Sequence, residues 1–271
     1  MAMGWEALVV HAATVAAGAG LGFGVEWWRH RQHERGPFAR ILRTQRHEKT
    51  IIVVPRRSHN AGDQHDTTHI HVTFEDMLAA NYVDRMLNLA GVRNQDVEVQ
   101  TVDHFNRTKT LSSREHLVLI CSPKANSITA LALHDLNTDL SRFGFDIRFE
   151  KPIPSEERWQ LKFYGATYES PSYKEVDELV KQGVLIEDGV VSDFAIIVRA
   201  PHPWAQGKKV LLISGIRGIG TWGAARYFRV NTSSLLKRTK GHDFAALVRV
   251  SYSQLQVVNS TLVDVKPILD D

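Results

Sequence analysis

The sequence has almost no cysteine and almost no net charge, and each absence excludes a class of protein. Cys121 is the single cysteine among 271 residues, so the chain cannot form an internal disulfide and suits a reducing compartment. The 33 Lys and Arg residues nearly balance the 30 Asp and Glu residues, so no nucleic acid partner is expected. What remains, 43% hydrophobic and 23% charged residues, is typical of a globular protein with a real core.

Charged residues are also missing from one long stretch near the N-terminus. Between Ala7 and Val25 the one strongly polar side chain is His11, and tryptophans flank the stretch at positions 5, 27 and 28. A helix from Trp5 to Trp28 spans about 34 Å, enough for a bilayer core of about 30 Å. Residues 29–57 then hold nine Lys or Arg against two acidic residues. By the positive-inside rule we predict a single-pass transmembrane anchor in the cell membrane over 1–28, a basic juxtamembrane connector over 29–49 and a cytosolic domain over 50–271.

Two alternatives to the anchor stay open. A cleaved secretory signal has a basic region before its apolar stretch, and none is present here. A buried soluble helix also fits, because the stretch is rich in alanine and glycine rather than leucine. Gly18 and Gly22, like Gly20 and Gly24, lie four residues apart, a spacing that lets helices pack closely in lipid. The expected partners are therefore the membrane and further copies of the chain in a homo-oligomer.

Residues 50–271 alternate between apolar runs and amphipathic stretches. The runs predict strands over 50–54, 97–102, 116–121, 161–168, 193–200, 209–214, 244–252 and 255–258. One helix is capped by Thr73 and ended by Gly91, and others are predicted over 127–136, 172–182 and 221–229. The irregular stretch 137–160 marks either a crossover or a boundary between two halves, 50–150 and 151–271. This order predicts an α/β fold, with an open, mostly parallel, Rossmann-like sheet and helices on both faces.

A glycine-rich turn follows the strand at 209–214. Gly218, Gly220 and Gly223 have the G-x-G-x-x-G spacing of a turn that presents backbone N–H groups to a phosphate. No acidic residue ends the next strand, and too little chain follows for a dinucleotide-binding domain, so no cofactor is predicted. The expected ligand is a nucleotide-like small molecule that carries phosphate. The alternative is that the glycines merely permit a tight turn and close helix packing.

A second loop of small and polar residues follows the strand at 116–121. Asn126 or Ser127 suits the cap of the next helix, which explains part of the pattern without a ligand. If both loops lie at one edge of the sheet, they form a single cleft. The predicted ligand-binding residues come from these two loops: Ser122, Lys124, Asn126, Ser127, Ser214, Gly215, Arg217, Gly218, Gly220 and Thr221.

Other polar residues are weaker candidates. Histidines and aspartates crowd 59–71, but their spacing matches no helical metal motif, and no metal site is predicted. Tyr164, Tyr168 and Ser170 are more often residues of a sheet surface or a turn. Glu75 and Glu169 are the acids available to an enzyme, but no catalytic triad is evident and catalytic residues stay unassigned. Cys121 lies in an apolar run and is expected to pack in the core.

The stretch from Asp193 to Phe228 resembles the C-terminal part of a family of uncharacterised bacterial α/β domains, especially in its Ser-Gly-Ile-Arg-Gly-Ile-Gly-Thr-Trp-Gly segment from Ser214 to Gly223. The upstream Ser-Pro-x-x-Asn turn, with Ser122, Pro123 and Asn126, is similar to the turn in the same family. The resemblance covers about residues 50–230. It implies a bacterial Rossmann-like sensory or signalling module, and it says nothing about catalysis.

These observations favour a membrane-anchored sensor or effector. Its cytosolic domain would bind a nucleotide-like or phosphate-bearing ligand between the two loops and signal through self-association of the anchor helix. One alternative is an enzyme that hydrolyses or transfers a glycosidic bond of a nucleotide or nucleoside. A further alternative is a scaffold for protein contacts, favoured if the glycine turn is buried under neighbouring side chains.

Overall fold

The computed structural model describes residues 40, 48–55, 72–107, 115–152, 158–171, 175, 176, 178, 181, 191–253 and 256–268. The predicted anchor over 1–28, most of the connector, the histidine-rich stretch 59–71 and most of the predicted helix over 172–182 lie outside these residues. None of the described helices is long and apolar enough to cross a membrane.

The described part of the chain contains ten strands, four α-helices described from end to end, and two short 3-10 helices, Asn94–Asp96 and Ser141–Phe143. The strands are β1 (Thr50–Val54), β2 (Val97–Thr101), β3 (His116–Ile120), β4 (Ile147–Glu150), β5 (Gln160–Phe163), β6 (Ala166–Glu169), β7 (Val191–Pro201), β8 (Lys209–Gly215), β9 (Asp243–Ser253) and β10 (Gln256–Ile268). The helices are α1 (Phe74–Ala90), α2 (Val102–Arg107), α3 (Ser127–Asp139) and α4 (Gly218–Arg238).

Seven strands form one open sheet in the order β10-β9-β7-β8-β3-β1-β2. β1 pairs in parallel with both β2 and β3, and β3 pairs in parallel with β8. β7 is antiparallel to β8 and β9, and β10 is antiparallel to β9. Five of these seven strands therefore run one way and two run the other, so the sheet is mixed. The predicted α/β class is confirmed, and strands from before and after residue 150 share this sheet.

Both faces of the large sheet are covered, which explains why its central strands are apolar throughout. Every residue of β1, β3 and β8 is buried. Alternate side chains enter opposite cores, so Ile52 packs with α1 and α4 on one face and Ile51 packs with α2 and α3 on the other. The predicted placement of helices on both faces is thus confirmed.

The ends of α1 follow the predicted capping residues. The Thr73 side chain accepts a hydrogen bond from the backbone N–H of Asp76, and Gly91 ends the helix with φ of 89°. α4 is longer than predicted, because it begins at Gly218 instead of residue 221 and continues to Arg238. The glycines of the G-x-G-x-x-G pattern therefore lie within the first turns of this helix.

A small antiparallel sheet, in the order β4-β5-β6, covers part of the core beside α3. The single strand predicted over 161–168 is wrong, because Tyr164 and Gly165, with φ of 49° and 84°, turn the chain back into a hairpin. β4 lies within 137–160, where the sequence predicts no strand. The strand predicted over 255–258 extends to Ile268 as β10 and pairs along all of β9.

Candidate functional site

The strand order reverses between β1 and β3. β2 lies on one side of β1 and β3 lies on the other, while α1 leaves β1 toward one face and α3 leaves β3 toward the other. In open α/β sheets such a reversal opens a crevice outside the carboxyl ends of the strands, and ligands bind there. The loops that follow β3 and β8 therefore lie where a site is most expected.

The two predicted loops lie next to each other at this edge. We call residues 121–126 the serine-proline loop and residues 214–220 the glycine loop. The Ser214 hydroxyl donates to the carbonyl oxygen of Cys121 at 2.7 Å, and the Lys124 ammonium donates to the carbonyl oxygen of Ile216 at 2.5 Å. Both loops therefore lie at one edge of the sheet, which is the arrangement that a single cleft between them requires.

Asn126 is the cap of α3, and its amide is fully used inside the fold. Its side-chain oxygen accepts from the backbone N–H groups of Ile128 and Thr129, each at 3.1 Å. Its side-chain nitrogen donates to the carbonyl oxygen of Ile120 at 2.9 Å. Asn126 thus fixes the serine-proline loop to β3, while Ser127 lies exposed in the first turn of α3.

The glycine loop already holds an anion, which is the side chain of Asp193 from β7. One carboxylate oxygen of Asp193 accepts hydrogen bonds from the backbone N–H groups of Arg217 and Gly220, each at 2.9 Å. The other oxygen accepts from the N–H of Phe194 at 2.8 Å. Asp193 is completely buried, so in this arrangement a phosphate cannot reach these two N–H groups.

Burial controls the charge state of this carboxylate. It raises the pKa of Asp193 from its ordinary value near 3.8 to about 6. The backbone N–H groups of Arg217 and Phe194, the Ser170 hydroxyl and the positive charge of Lys124 all lower that pKa, but by less than burial raises it. Near neutral pH the glycine loop therefore surrounds a mostly ionised carboxylate that is close to its titration range.

Three of the glycines permit close packing. A Cβ atom on Gly215 would lie 2.4 Å from the backbone nitrogen of Thr221, and one on Gly223 would lie 2.2 Å from a methyl group of Val250. A Cβ atom on Gly220 would lie 2.2 Å from the Asp193 carboxylate. These distances support the alternative given by the sequence, in which the glycines let α4 approach the sheet.

The predicted ligand-binding residues differ sharply in exposure. Lys124 and Ser127 are exposed, and Arg217 and Gly218 are partly exposed. The remaining six are buried, namely Ser122, Asn126, Ser214, Gly215, Gly220 and Thr221. The Ser122 hydroxyl has no hydrogen-bond partner among the described residues. A ligand in the crevice can thus be contacted from these loops by the side chains of Lys124 and Ser127 and by the exposed part of Arg217, whose Nε and Nη2 atoms are buried.

The N-terminus of α1 borders the glycine loop. A Cβ atom on Gly218 would lie 3.4 to 3.6 Å from the side chain of Glu75, which places this acid beside the loop. Phe74 and Met77 in the same turn are 69% and 58% exposed. Helices α1, α3 and α4 therefore all begin near the crevice, and their N-terminal partial charges favour an anion there.

Other predicted candidates are used for packing. Tyr168 packs on Phe194 with ring centroids 5.0 Å apart, and Tyr164 packs edge-on against Phe163 at 4.8 Å. Glu169 accepts a hydrogen bond from Gln160 on the neighbouring strand at 2.5 Å. Cys121 is buried at the end of β3, as expected, and its φ of 83° is one that L residues seldom adopt.

A second buried polar cluster lies at the opposite edge of the sheet. Arg199 and Lys209 both pair with Asp243, and Arg199 is completely buried. His116 accepts from the backbone N–H of Lys209 through Nδ1, so its Nε2 carries the proton and donates to Glu48 at 2.8 Å. Burial lowers the pKa of His116 more than Glu48 raises it. This cluster joins the ends of β3, β7, β8 and β9 and is separate from the crevice.

Asp193 is the site residue that the sequence reasoning missed. The stretch around it predicts a buried strand, and an acid near the start of an apolar strand is the feature that marks it. Its contact with the glycine loop depends on β7 lying antiparallel to β8, which the periodicity does not encode.

Among the residues that the structure describes, no three His, Cys, Asp or Glu side chains are grouped as metal ligands. The fold and site define an α/β domain in which two loops meet at the reversal of the strand order. Comparison with models of protein families, with curated proteins and with solved structures finds no match to this chain.

Proposed function

We propose that the crevice binds a nucleotide-like or phosphate-bearing ligand, with Lys124 and Arg217 as its cationic contacts. The observation that carries this proposal is the meeting of the serine-proline and glycine loops at the reversal between β1 and β3. Each loop brings one cationic side chain to that edge. Ser127, exposed at the start of α3, adds a hydroxyl.

The buried carboxylate of Asp193 limits how the ligand binds. Because Asp193 uses the N–H groups of Arg217 and Gly220, the phosphate contacts side chains instead of the amides of the glycine loop. This differs from a dinucleotide fingerprint, where the loop backbone itself surrounds the pyrophosphate. The exposed Phe74 and Met77 offer apolar surface for the base or sugar of the ligand.

The same proposal includes the N-terminal anchor. A transmembrane helix over 1–28 holds a Rossmann-like sensory domain on the cytosolic side, and its glycine rows allow self-association. Ligand binding shifts the association only to the extent that the ligand prefers one state of the domain over the other. The apolar stretch, its flanking tryptophans and the basic residues after it support this part of the proposal.

The ligand proposal is tested by thermal unfolding of the full chain in mild detergent with ADP, cyclic AMP, glucose 6-phosphate or inorganic phosphate. We expect at least one organic phosphate to stabilise the protein, by about 2.7 kcal/mol at one hundred times its Kd. Lys124→Ala should weaken that stabilisation and Lys124→Arg should retain it. Lys237→Ala, at the far end of α4, is the matched control and should behave as wild type. Stabilisation by none of the four, or equal stabilisation of Lys124→Ala, would contradict the proposal.

The position of Glu75 beside Gly218 favours a second candidate function. An acid at the mouth of the crevice suits an enzyme that cleaves a glycosidic bond of a nucleotide or nucleoside. Incubation with NAD and with nucleosides separates the two functions, because a sensor leaves them intact. Release of a free base that is lost in Glu75→Gln would favour the enzyme.

The anchor proposal is tested by fractionation of cells that express the full chain. We expect the chain in the membrane pellet, resistant to high salt and to carbonate and released by detergent, because about 20 apolar residues partition stably into a bilayer. Replacing Ala16 and Gly20 with arginine should move it to the soluble fraction, since a charge at the centre of a span costs about 2.5 to 3.5 kcal/mol. Recovery of the unaltered chain as a soluble protein would refute the anchor.

A further inference from the structure

A groove with a volume of about 480 Å³ runs between α3 and the free edge of β4. Its lining consists of Pro123, Ala130, Leu133, His134, Asn137, Thr138, Ile147, Arg148 and Phe149. In the described part of the chain β4 pairs with β5 on one side and with no strand on the other. The groove therefore follows an unpaired sheet edge with a helix as its second wall.

The register of β4 shows which backbone groups face the groove. The N–H of Tyr164 donates to the carbonyl oxygen of Asp146 at 2.8 Å, which makes Asp146 and Tyr164 a hydrogen-bonded pair. In an antiparallel ladder such pairs alternate with pairs whose backbone groups point away from the partner strand. Arg148 and Glu150 thus face β5, whereas Ile147 and Phe149 direct their N–H and C=O groups to the free edge.

Asn137 already occupies the first of these outward positions. Its side-chain oxygen accepts from the N–H of Ile147 at 3.0 Å, and its side-chain nitrogen donates to the carbonyl oxygen of Ile147 at 2.7 Å. This pair of bonds is what a residue of a neighbouring strand would make. Phe149, two residues on, presents the next outward N–H and C=O, and no side chain among the described residues bonds to that position in this way.

The walls of the groove indicate what could occupy it. Leu133, Ile147 and Phe149 form an apolar floor, on which alternate side chains of an extended segment would pack. Arg148 and His134 are the titratable residues among those that line it, and none of the described lining residues is acidic. Asp146, which pairs with Arg148 at 2.9 Å, lies outside the lining. The groove is thus complementary to a segment that is apolar on one face and acidic on the other.

We propose that the groove binds an extended acidic and apolar segment of another polypeptide, which adds to β4 as a fourth strand of the small sheet. Backbone hydrogen bonds to Phe149 supply binding, and the apolar floor with Arg148 supplies selectivity. Pro123, one of the lining residues, belongs to the serine-proline loop, so the bound segment would also touch that loop. The proposal does not depend on the ligand proposed above.

The test is selection of a phage-displayed library of random linear dodecapeptides against the full chain in mild detergent. We expect enriched peptides in which apolar and acidic residues alternate. Synthetic versions of the enriched peptides should bind the Ala130→Trp protein, in which the indole fills the groove, at least tenfold more weakly than wild type. The same loss of affinity is expected for the Arg148→Glu protein. Leu131→Trp, an exposed position on the same helix outside the groove, is the matched control and should stay within twofold. The unfolding temperature of each variant checks that it folds.

Hydrogen exchange on the wild-type complex tests the strand geometry without any substitution. A peptide that adds to β4 should slow exchange of the Phe149 amide at least tenfold and leave the Arg148 amide, already paired with β5, much less affected. Three results would overturn the proposal: no enriched acidic peptide, binding that Ala130→Trp leaves unchanged, or a bound peptide that leaves Phe149 exchange unaltered.

Discussion

Replacing Gly220 with alanine should lower the free energy of unfolding by about 3 kcal/mol, the upper part of the range for overpacking a core. The added Cβ atom would lie 2.2 Å from the buried carboxylate of Asp193 and 3.3 Å from the Cα of Gly215. Asp193 cannot move aside, because three backbone N–H groups hold its two oxygens. The strain therefore falls on the packing of α4 against the sheet.

Gly218→Ala is the matched control, two residues away in the same helical turn. Its Cβ atom would meet the side chain of Glu75 at 3.4 to 3.6 Å, which is ordinary contact. Alanine also favours a helix over glycine, so the free energy of unfolding should stay the same or rise by up to about 1 kcal/mol. Urea unfolding of both variants measures the difference, and equal stability of the two would show that the glycine loop adjusts freely. Because Gly220→Ala weakens the fold itself, it is unsuitable as a ligand-site variant.

The central strands could be predicted from the sequence because burial on both faces leaves a continuous apolar run. β1, β3 and β8 are such runs, and Thr73 and Gly91 mark the ends of α1 by their capping chemistry. The small sheet was harder to predict. β4 is four residues long and alternates polar and apolar side chains, while the Tyr164-Gly165 turn interrupts what looks like one strand. β10 is an edge strand with many polar residues, so its apolar run ends at Val258.

The direction of β7 relative to β8 could be predicted from the length of the chain that connects them, which apolar periodicity does not take into account. Seven residues connect Pro201 of β7 to Lys209 of β8, too few for the crossover that parallel neighbours require. β7 must therefore be antiparallel to β8, and this brings Asp193 to the carboxyl edge of β8. The location of both loops at one edge could be predicted from the strand-loop-helix order. The occupation of the glycine loop by the Asp193 carboxylate could not be predicted, because Asp193 lies 24 and 27 positions before Arg217 and Gly220, the residues that it contacts.

The stability of the protein relative to its Asp193→Asn variant should change with pH by up to about 3 kcal/mol. Burial raises the pKa of Asp193 to about 6 from an ordinary value near 3.8, a difference of about 2 units at about 1.4 kcal/mol each. Since the folded pKa exceeds the unfolded one, the stabilisation is complete below about pH 3.8 and is lost as the pH rises to about 6. Wild type should therefore lose stability relative to Asp193→Asn between pH 4 and pH 7.

The comparison isolates Asp193, because every other titrating group is common to both proteins. Urea unfolding at half-unit steps from pH 4 to pH 7 gives the difference directly. The opposite result is a free energy of unfolding that rises with pH in wild type relative to the variant. It would mean that the N–H groups of Arg217, Gly220 and Phe194 lower the pKa of Asp193 by more than burial raises it, so that the loop holds the carboxylate ionised as it would hold a phosphate. If the free energy of unfolding of wild type instead falls relative to the variant as the pH rises, the glycine loop keeps its anion at a cost in stability.

In that case an anion that draws the Lys124 ammonium toward itself removes one of the groups that lower the pKa of Asp193. Organic phosphates would then bind more tightly at pH 6 than at pH 8, with uptake of a proton by Asp193.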